Sequence, residues 1–293
     1  MGFSACHPAI CFLYFTCVIA VTLCVPHPVF LGIGLTCAFA YSVMLNRKKA
    51  AVFGGLLLPL ILLFAGYYAS FHHFGVTVLF QNAIGNNMTL ESAVYGVVLG
   101  ITAATVMLWF SCVHAVFTAD KVVYLFGRIS PRLSLFAAVL LRAVPRCKTQ
   151  ARKINTARQG VGRGANQGNL LLRTGNALRI FSILITWGIE TAAQISDSMR
   201  SRGASLRGRS AFSLYRFDNR DRALVIGMFT NMTIFVMGLL LQQGSVSYDP
   251  FLRMNPITPM SFVFYGGYGA FCLMPLILDT ATRLRFEKAR SAL

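Results

Sequence analysis

The feature that most constrains this 293-residue chain is where it keeps its charge. Of its 27 Lys and Arg residues, 19 fall within residues 121–222, and the stretches on either side are long apolar runs with almost none. Backbone polar groups in lipid must find partners within their own segment, so apolar runs of roughly 20 residues that cross about 30 Å of hydrocarbon have to be helical. Composition points the same way, with 56% of residues hydrophobic and only 12% charged, about half the charged share of an ordinary soluble domain. The chain reads as an all-α integral membrane protein with one large basic insert.

Six spans follow from the apolar runs, at residues 8–25, 28–45, 50–71, 92–118, 223–241 and 259–280. They divide the chain into four N-terminal membrane helices in residues 1–118, an extramembrane region in residues 119–222, and two C-terminal helices with a basic tail in residues 223–293. Pro59 and Pro275 lie inside spans and are expected to kink them. Only Pro26 and His27 separate the first two spans, which therefore form a tight helical hairpin.

Membrane proteins keep Lys and Arg on the cytoplasmic side. Arg47, Lys48 and Lys49 put the second connection inside, residues 81–91 carry no basic residue and lie outside, and residues 242–258 offer only Arg253. With Arg283, Arg285, Lys288 and Arg290 near the end, the expectation is a multi-pass cell-membrane protein whose two termini and basic insert are cytoplasmic. The first span has no basic residues ahead of it, so no cleavable signal pattern is expected.

Several chemistries are excluded by what is missing. No GxxxxGK[ST] sequence occurs, and the glycines of residues 162–168 lack the Lys and hydroxyl a phosphate loop needs, so ATP would have to be hydrolysed by another protein. Ionisable residues inside the spans are almost confined to Asp279 and His114, near span ends, which gives neither a proton relay nor a pair of catalytic carboxylates. The chain is therefore expected to be non-catalytic, with no cofactor. Cys6, Cys11, Cys17, Cys24, Cys37, Cys112, Cys147 and Cys272 show no CxxC pair and read as small apolar residues. His72 and His73 have no carboxylate or Cys nearby to complete a metal site, and none is expected. Asn87, Met88 and Thr89 form a sequon that matters only in a glycosylating secretory pathway.

The insert carries 19 basic residues against five acidic ones, Asp120, Glu190, Asp197, Asp218 and Asp221. A disordered basic tail would be poor in apolar residues, and this region is not. Cys147, Ala151, Ile154, Ala157 and Val161 recur in steps of three or four and stripe one face of a helix, with Arg146, Lys148, Arg152 and Lys153 opposite. Ile189, Ala192, Ile195 and Met199 stripe a second, whose other face carries Glu190, Gln194, Asp197 and Ser201. Residues 160–168 form a glycine-rich break between the two, and Gly203 stands where a helix end favours glycine. Residues 177–189 are apolar enough to suggest a seventh span, but crossing there would send half of the basic insert outside. That segment is expected to lie against other helices or the inner leaflet, and Tyr215, Arg216 and Phe217 read as interfacial anchors. So basic a surface also attracts anionic membrane lipid, at about 1 kcal/mol per residue. With no recognition motif beside the charge, nucleic acid is not an expected partner.

The sequence MRSRG, Met199 to Gly203, preceded by Ile195, Ser196, Asp197 and Ser198, resembles the second coupling motif of the transmembrane T component of energy-coupling factor (ECF) transporters, the family that includes the cobalt-uptake CbiQ proteins. Residues 144–162, VPRCKTQARKINTARQGVG with Pro145, resemble that family's first coupling-helix region. The similarity covers residues 145–222, and the remainder mainly by topology. It implies two or three cytoplasmic amphipathic coupling helices between spans four and five. Two of them end in a short Arg-containing motif that docks in a groove of one of two ABC ATPase subunits, a homodimer or a heterodimer. Ser201, Arg202 and Gly203 match the second motif. The first departs from the pattern: spacing places Gly160, Val161 and Gly162 there, with Val where Arg is expected, while Ala157, Arg158 and Gln159 offer an alternative register. Arg158 or Arg163 would then supply the missing cation.

The chemistry suits such a contact, because a guanidinium offers a fixed fork of donors to a carboxylate and an adjacent glycine lets two backbones approach. The resemblance implies a coupling subunit of an ECF-type ABC importer, passing ATP-driven closure to a separate substrate-binding S component for uptake of a vitamin or transition-metal ion. The competing reading is a membrane scaffold or lipid-binding protein with a basic cytoplasmic surface and no ATPase coupling.

Overall fold

A His-Pro pair opens each of the first two helices. Pro8 and Pro28 begin α1 (Pro8–Cys24) and α2 (Pro28–Asn46), where a missing N–H costs nothing. Ahead of them, His7 and His27 turn their Nδ1 atoms back to accept the N–H of Ala9 and Val29, each at 3.3 Å. The structure, a computed structural model, describes residues 2–72, 74–81, 87–129, 131–203, 206, 215, 217–249 and 251–291. It is about 81% helical. The further helices are α3 (Lys48–Phe71), α4 (Leu90–Val116), α5 (Ala119–Ile129), α6 (Pro131–Gly160), α7 (Leu170–Ser201), α8 (Asn219–Leu240) and α9 (Pro259–Ser291). Two short antiparallel hairpins accompany them, β1 (Val78–Gln81) with β2 (Asn87–Thr89) and β3 (Val246–Ser247) with β4 (Arg253–Met254).

Five of these helices are long and apolar enough to cross a membrane: α2, residues 50–71 of α3, α4, α8 and α9. The sixth expected span is α1, which is apolar but has 17 residues and rises only about 25 Å, short of the roughly 30 Å of hydrocarbon. Neither α6 nor α7 is among the candidates. Both α3 and α9 continue as helix through Pro59 and Pro275. The last helix also runs well past residue 280, carrying Arg283, Arg285, Lys288 and Arg290 on its final turns.

The chain packs as two units, one made of Met1–Thr118 with Tyr215–Leu293 and the other of Ala119–Leu214. Residues 215–222 therefore group with the membrane helices, because Asp218 and Asp221 form the capping box that starts α8. In the first unit α4 packs against α2 and α3. Close approach to α3 depends on two glycines of α4, since a Cβ at Gly100 would sit 2.9 Å from Ile61 Cα and one at Gly96 3.0 Å from Ala65 Cα. Lipid gives apolar faces no reason to associate, so dispersion contacts between closely approaching helices must hold them. Tyr14, Phe15, Trp109 and Phe271 fill the centre, with Tyr14 within 5.1–6.1 Å of Phe15, Trp109 and Phe271, and its hydroxyl donates to the Cys272 carbonyl at 3.1 Å. All eight cysteines, each among the described residues, are thiols outside any disulfide.

Polar groups gather at the two ends of this unit. Where α8 begins, Asp279 of α9 is 8% exposed and accepts the Phe3 N–H at 2.5 Å and the Tyr41 hydroxyl at 3.3 Å. Asp221, 6% exposed, accepts the His7 N–H at 3.5 Å and the Asp218 N–H at 3.3 Å. Two buried carboxylates thus hold the first residues of the chain against α8 and α9. At the far end Glu91 accepts the Thr77 hydroxyl at 2.7 Å, Thr89 donates to the Phe74 carbonyl at 2.5 Å, and Tyr248 donates to the Pro26 carbonyl at 2.7 Å. His72 stacks on Tyr68 with ring centroids 3.9 Å apart, and His73 lies outside the described residues. Arg216, one of the expected interfacial anchors, is also outside them, while Phe217 meets His7 edge-on at 5.9 Å.

The second unit has α5 against α6 and α6 against α7. Where two separate amphipathic helices were expected within the insert, α6 extends back to Pro131 through Pro145, and α7 joins the apolar residues 177–189 to the amphipathic turns that follow. Ile180 is its only buried hydrophobic side chain among the described residues, whereas Phe136, Leu171, Phe181 and Ile189 are all more than half exposed.

Replacing Asp279 by Ala leaves the Phe3 N–H and Tyr41 hydroxyl without their acceptor and should cost about 1–3 kcal/mol. Asp279→Asn keeps a carbonyl oxygen for one of them and should cost less. Thermal unfolding of the protein in detergent would rank the wild type above Asn and Asn above Ala, and equal midpoints for all three would refute the anchoring role.

Candidate functional site

The residues singled out in the insert sit at helix ends, and the backbone there determines what they present. At the end of α6, Gly162 adopts φ +74°, its N–H donates to the Gln159 carbonyl at 3.0 Å, and the Arg163 N–H reaches back to the Arg158 carbonyl at 2.9 Å. These two bonds are the paired contacts of a Schellman end, which satisfies carbonyls the helix leaves open and needs glycine for the left-handed turn. At the end of α7, Arg202 is the C-cap, and Gly203, again at φ +74°, donates to the Arg200 carbonyl at 3.0 Å.

Matching the two left-handed glycines sets Gly162 against Gly203, Val161 against Arg202, and Gly160 against Ser201. The Gly160, Val161, Gly162 register thus has the same backbone form as Ser201, Arg202, Gly203, while Ala157, Arg158 and Gln159 lie inside the helix. Val161, at the position equivalent to the arginine, is 76% exposed.

The arginines differ in what they do. Arg202 is exposed, as is Ser201, whose hydroxyl donates to the Ser198 carbonyl at 2.9 Å. Arg158 is half-buried, and its Nε donates to the Arg163 carbonyl at 3.2 Å, so its guanidinium folds over its own helix end. Arg163 follows the turn and is exposed. A cation at a helix C-terminus meets the negative end of the helix dipole, so all three positions are electrostatically favourable.

The eight site residues fall in two clusters. Arg158, Gly160, Val161, Gly162 and Arg163 lie where α6 turns towards α7, and Ser201, Arg202 and Gly203 close the far end of α7. That helix has 32 residues and spans about 48 Å at 1.5 Å per residue. The clusters are therefore two separated points joined by one rod.

Polar side chains fix the connection between α6 and α7. Asn155 Oδ1 accepts the Ala165 N–H at 2.9 Å, Gln167 Oε1 accepts the Gly164 N–H at 2.9 Å, and Asn176 Nδ2 donates to the Gly164 carbonyl at 3.2 Å. Arg173 Nε donates to the Gly168 carbonyl at 3.1 Å, and Asn169 caps α7. Sequence reasoning passed over Asn155 and Asn176, whose signal is an amide side chain on each helix a turn or two from a glycine-rich break.

Compared with known proteins, the chain matches no family model and no curated protein. What these residues do must be argued from the residues themselves.

Gly162→Ala and Gly203→Ala should each destabilise their helix end by about 1 kcal/mol, since a Cβ disfavours the left-handed conformation. Gly160 is helical with open space where a Cβ would go, so Gly160→Ala should be neutral or slightly stabilising. Hydrogen exchange reads the difference, with faster exchange confined to the last turn of α6 or of α7 in the first two variants and absent from the third.

Proposed function

We propose that this protein is the transmembrane coupling subunit of an ECF-type ABC importer, which passes the closure of two ATPase subunits to a separate substrate-binding S component. The observation that carries the reading is the pair of glycine-reversed helix ends, alike in backbone form and separated by the length of α7, one of which presents Arg202. Five apolar helices long enough to cross a membrane flank this basic region in sequence. A subunit that turns motion in the cytosol into motion in the bilayer needs both parts.

In this mechanism the ATPases approach one another on binding ATP, and each takes one helix end with it. A guanidinium in a partner's groove pairs with a carboxylate there, and the glycine beside it allows the backbones to meet. Because α7 is a continuous helix, displacement of its end is transmitted along its length. The exposed apolar side chains Phe136, Phe181 and Ile189 supply surface for the S component, which would hold the vitamin or transition-metal ion. At the first end the Val161 side chain replaces the arginine, and Arg163, exposed just after the turn, is better placed than Arg158 to reach a partner, since Arg158 is engaged with its own chain.

The reading requires the insert to be cytoplasmic. Cys147, half-buried on α6, should be modified by a membrane-impermeant thiol reagent in inverted vesicles and spared in intact cells. The opposite pattern would place the helix ends outside and end the proposal.

Affinity-tagged protein should co-purify stoichiometrically with ABC ATPase subunits. Arg202→Ala should remove most of that retention, because unpairing a desolvated ion pair costs about 2–5 kcal/mol. Val161→Arg should preserve or strengthen retention if the backbone equivalence holds. Wild-type retention by Arg202→Ala would remove Arg202 from the contact, and failure of the wild type to co-purify with any ATPase would favour a membrane scaffold that binds lipid through its basic surface.

A further inference from the structure

We infer that the groove between α6 and α7 is a binding site for an anionic phospholipid, taking an acyl chain along its walls and the phosphate headgroup at its arginines. The groove encloses about 590 Å³, within the usual range for small-molecule sites. Val139 and Cys147 of α6 and Trp187, Ile195 and Met199 of α7 make its walls largely apolar. Three guanidinium groups line it as well, Arg142 and Arg146 one turn apart on α6 and Arg200 close to the end of α7. All three are exposed, and no carboxylate among the described residues lines the groove.

Each half of that lining excludes a simpler ligand. A small anion would pair with the arginines and leave the apolar walls in water, at a cost proportional to their area. A neutral hydrocarbon would cover the walls and leave the three cations that line the groove without an anionic partner from the ligand. A ligand joining an apolar chain to a phosphate satisfies both, because the guanidinium fork matches phosphate oxygens bidentately. For a protein with five candidate membrane spans, the bilayer is the nearest source of such a molecule, and anionic lipid is attracted to clustered Arg. The placement gives the lipid a structural task too. Seated between two helices that share little buried surface, it acts as a wedge that sets their spacing.

This site does not depend on ATPase coupling, and its test reads a different quantity. The full-length protein, in neutral detergent, is titrated with dioleoyl phosphatidylglycerol or dioleoyl phosphatidylcholine, and bound lipid is counted by native mass spectrometry. Wild type should retain phosphatidylglycerol in preference to phosphatidylcholine. The Arg142→Gln, Arg146→Gln, Arg200→Gln triple variant should need on the order of 100-fold more phosphatidylglycerol, about fivefold for each arginine. Ala192→Trp, which fills the groove and leaves every charge in place, should lose the lipid as well, and it decides the matter if the triple variant does not fold. Arg285→Gln, Lys288→Gln, Arg290→Gln, which removes equal charge from the end of α9, should bind as wild type does.

Equal binding of the two lipids would overturn the inference, as would equal losses in the groove and tail triple variants. Wild-type binding by Ala192→Trp would place the lipid elsewhere and leave the groove to an apolar, acidic helix of a partner protein. Loss of lipid preference with ATPase retention intact removes only this inference, whereas ATPase loss with lipid binding intact leaves it standing.

Discussion

Hydrocarbon offers a peptide group nothing to hydrogen-bond with, and most of this architecture follows from that deficiency. Among the described residues of the first unit every long apolar segment is a helix, and irregular backbone falls between helices. The ends are where polar side chains reappear. Asp221 and Asp279 satisfy backbone N–H groups at one of them, and Glu91, Thr89 and Tyr248 satisfy backbone and hydroxyl groups at the other. Between these layers the helices are held by shape, through Gly96 and Gly100 against α3 and through a cluster of aromatic rings around Tyr14.

How much of this could be read in the sequence depended on the range of the interaction responsible. Hydropathy is local, so the apolar helices were legible with boundaries a few residues off, five of them long enough to cross and α1 apolar but shorter. The glycine-rich break and the end at Gly203 were legible for the same reason, since left-handed turns demand glycine wherever they occur. The extent of α6 was not. The amphipathic stripe was legible only from Cys147, whereas a proline can be accommodated within a helix when only one carbonyl bond is given up, and α6 runs through Pro145 back to Pro131. In α7 the apolar stretch and the amphipathic stretch looked like separate elements because their periodicities differ, yet Gly188 between them lies within the helix and does not end it.

Least legible were the contacts that join distant parts of the chain. Asp279 looked like an isolated carboxylate at a span end. Its partners, Phe3 and Tyr41, are 276 and 238 residues away, and no pattern in the sequence connects them. For the candidate site, residue types and spacing indicated which tips to examine but left two registers for the first. The two differ in backbone form, since the glycines at 162 and 203 share a left-handed φ and Gln159 is helical. Among its described residues the insert reverses the usual relation of core to surface, since Ile180 is the one buried apolar side chain and many large ones are exposed.

The bonds from Asp279 to Phe3 and Tyr41 also bear on the order in which the protein is made. Ribosomes deliver the N-terminal helices first and α9 last, with the entire basic insert in between. Until that final helix arrives, the docking seat for the earliest residues does not exist, and Tyr14 has no Cys272 carbonyl to meet. The opening half of the chain must therefore wait in the bilayer as a partly assembled bundle, and nascent chains cut short before α9 would be open to the proteases that clear unfinished membrane proteins.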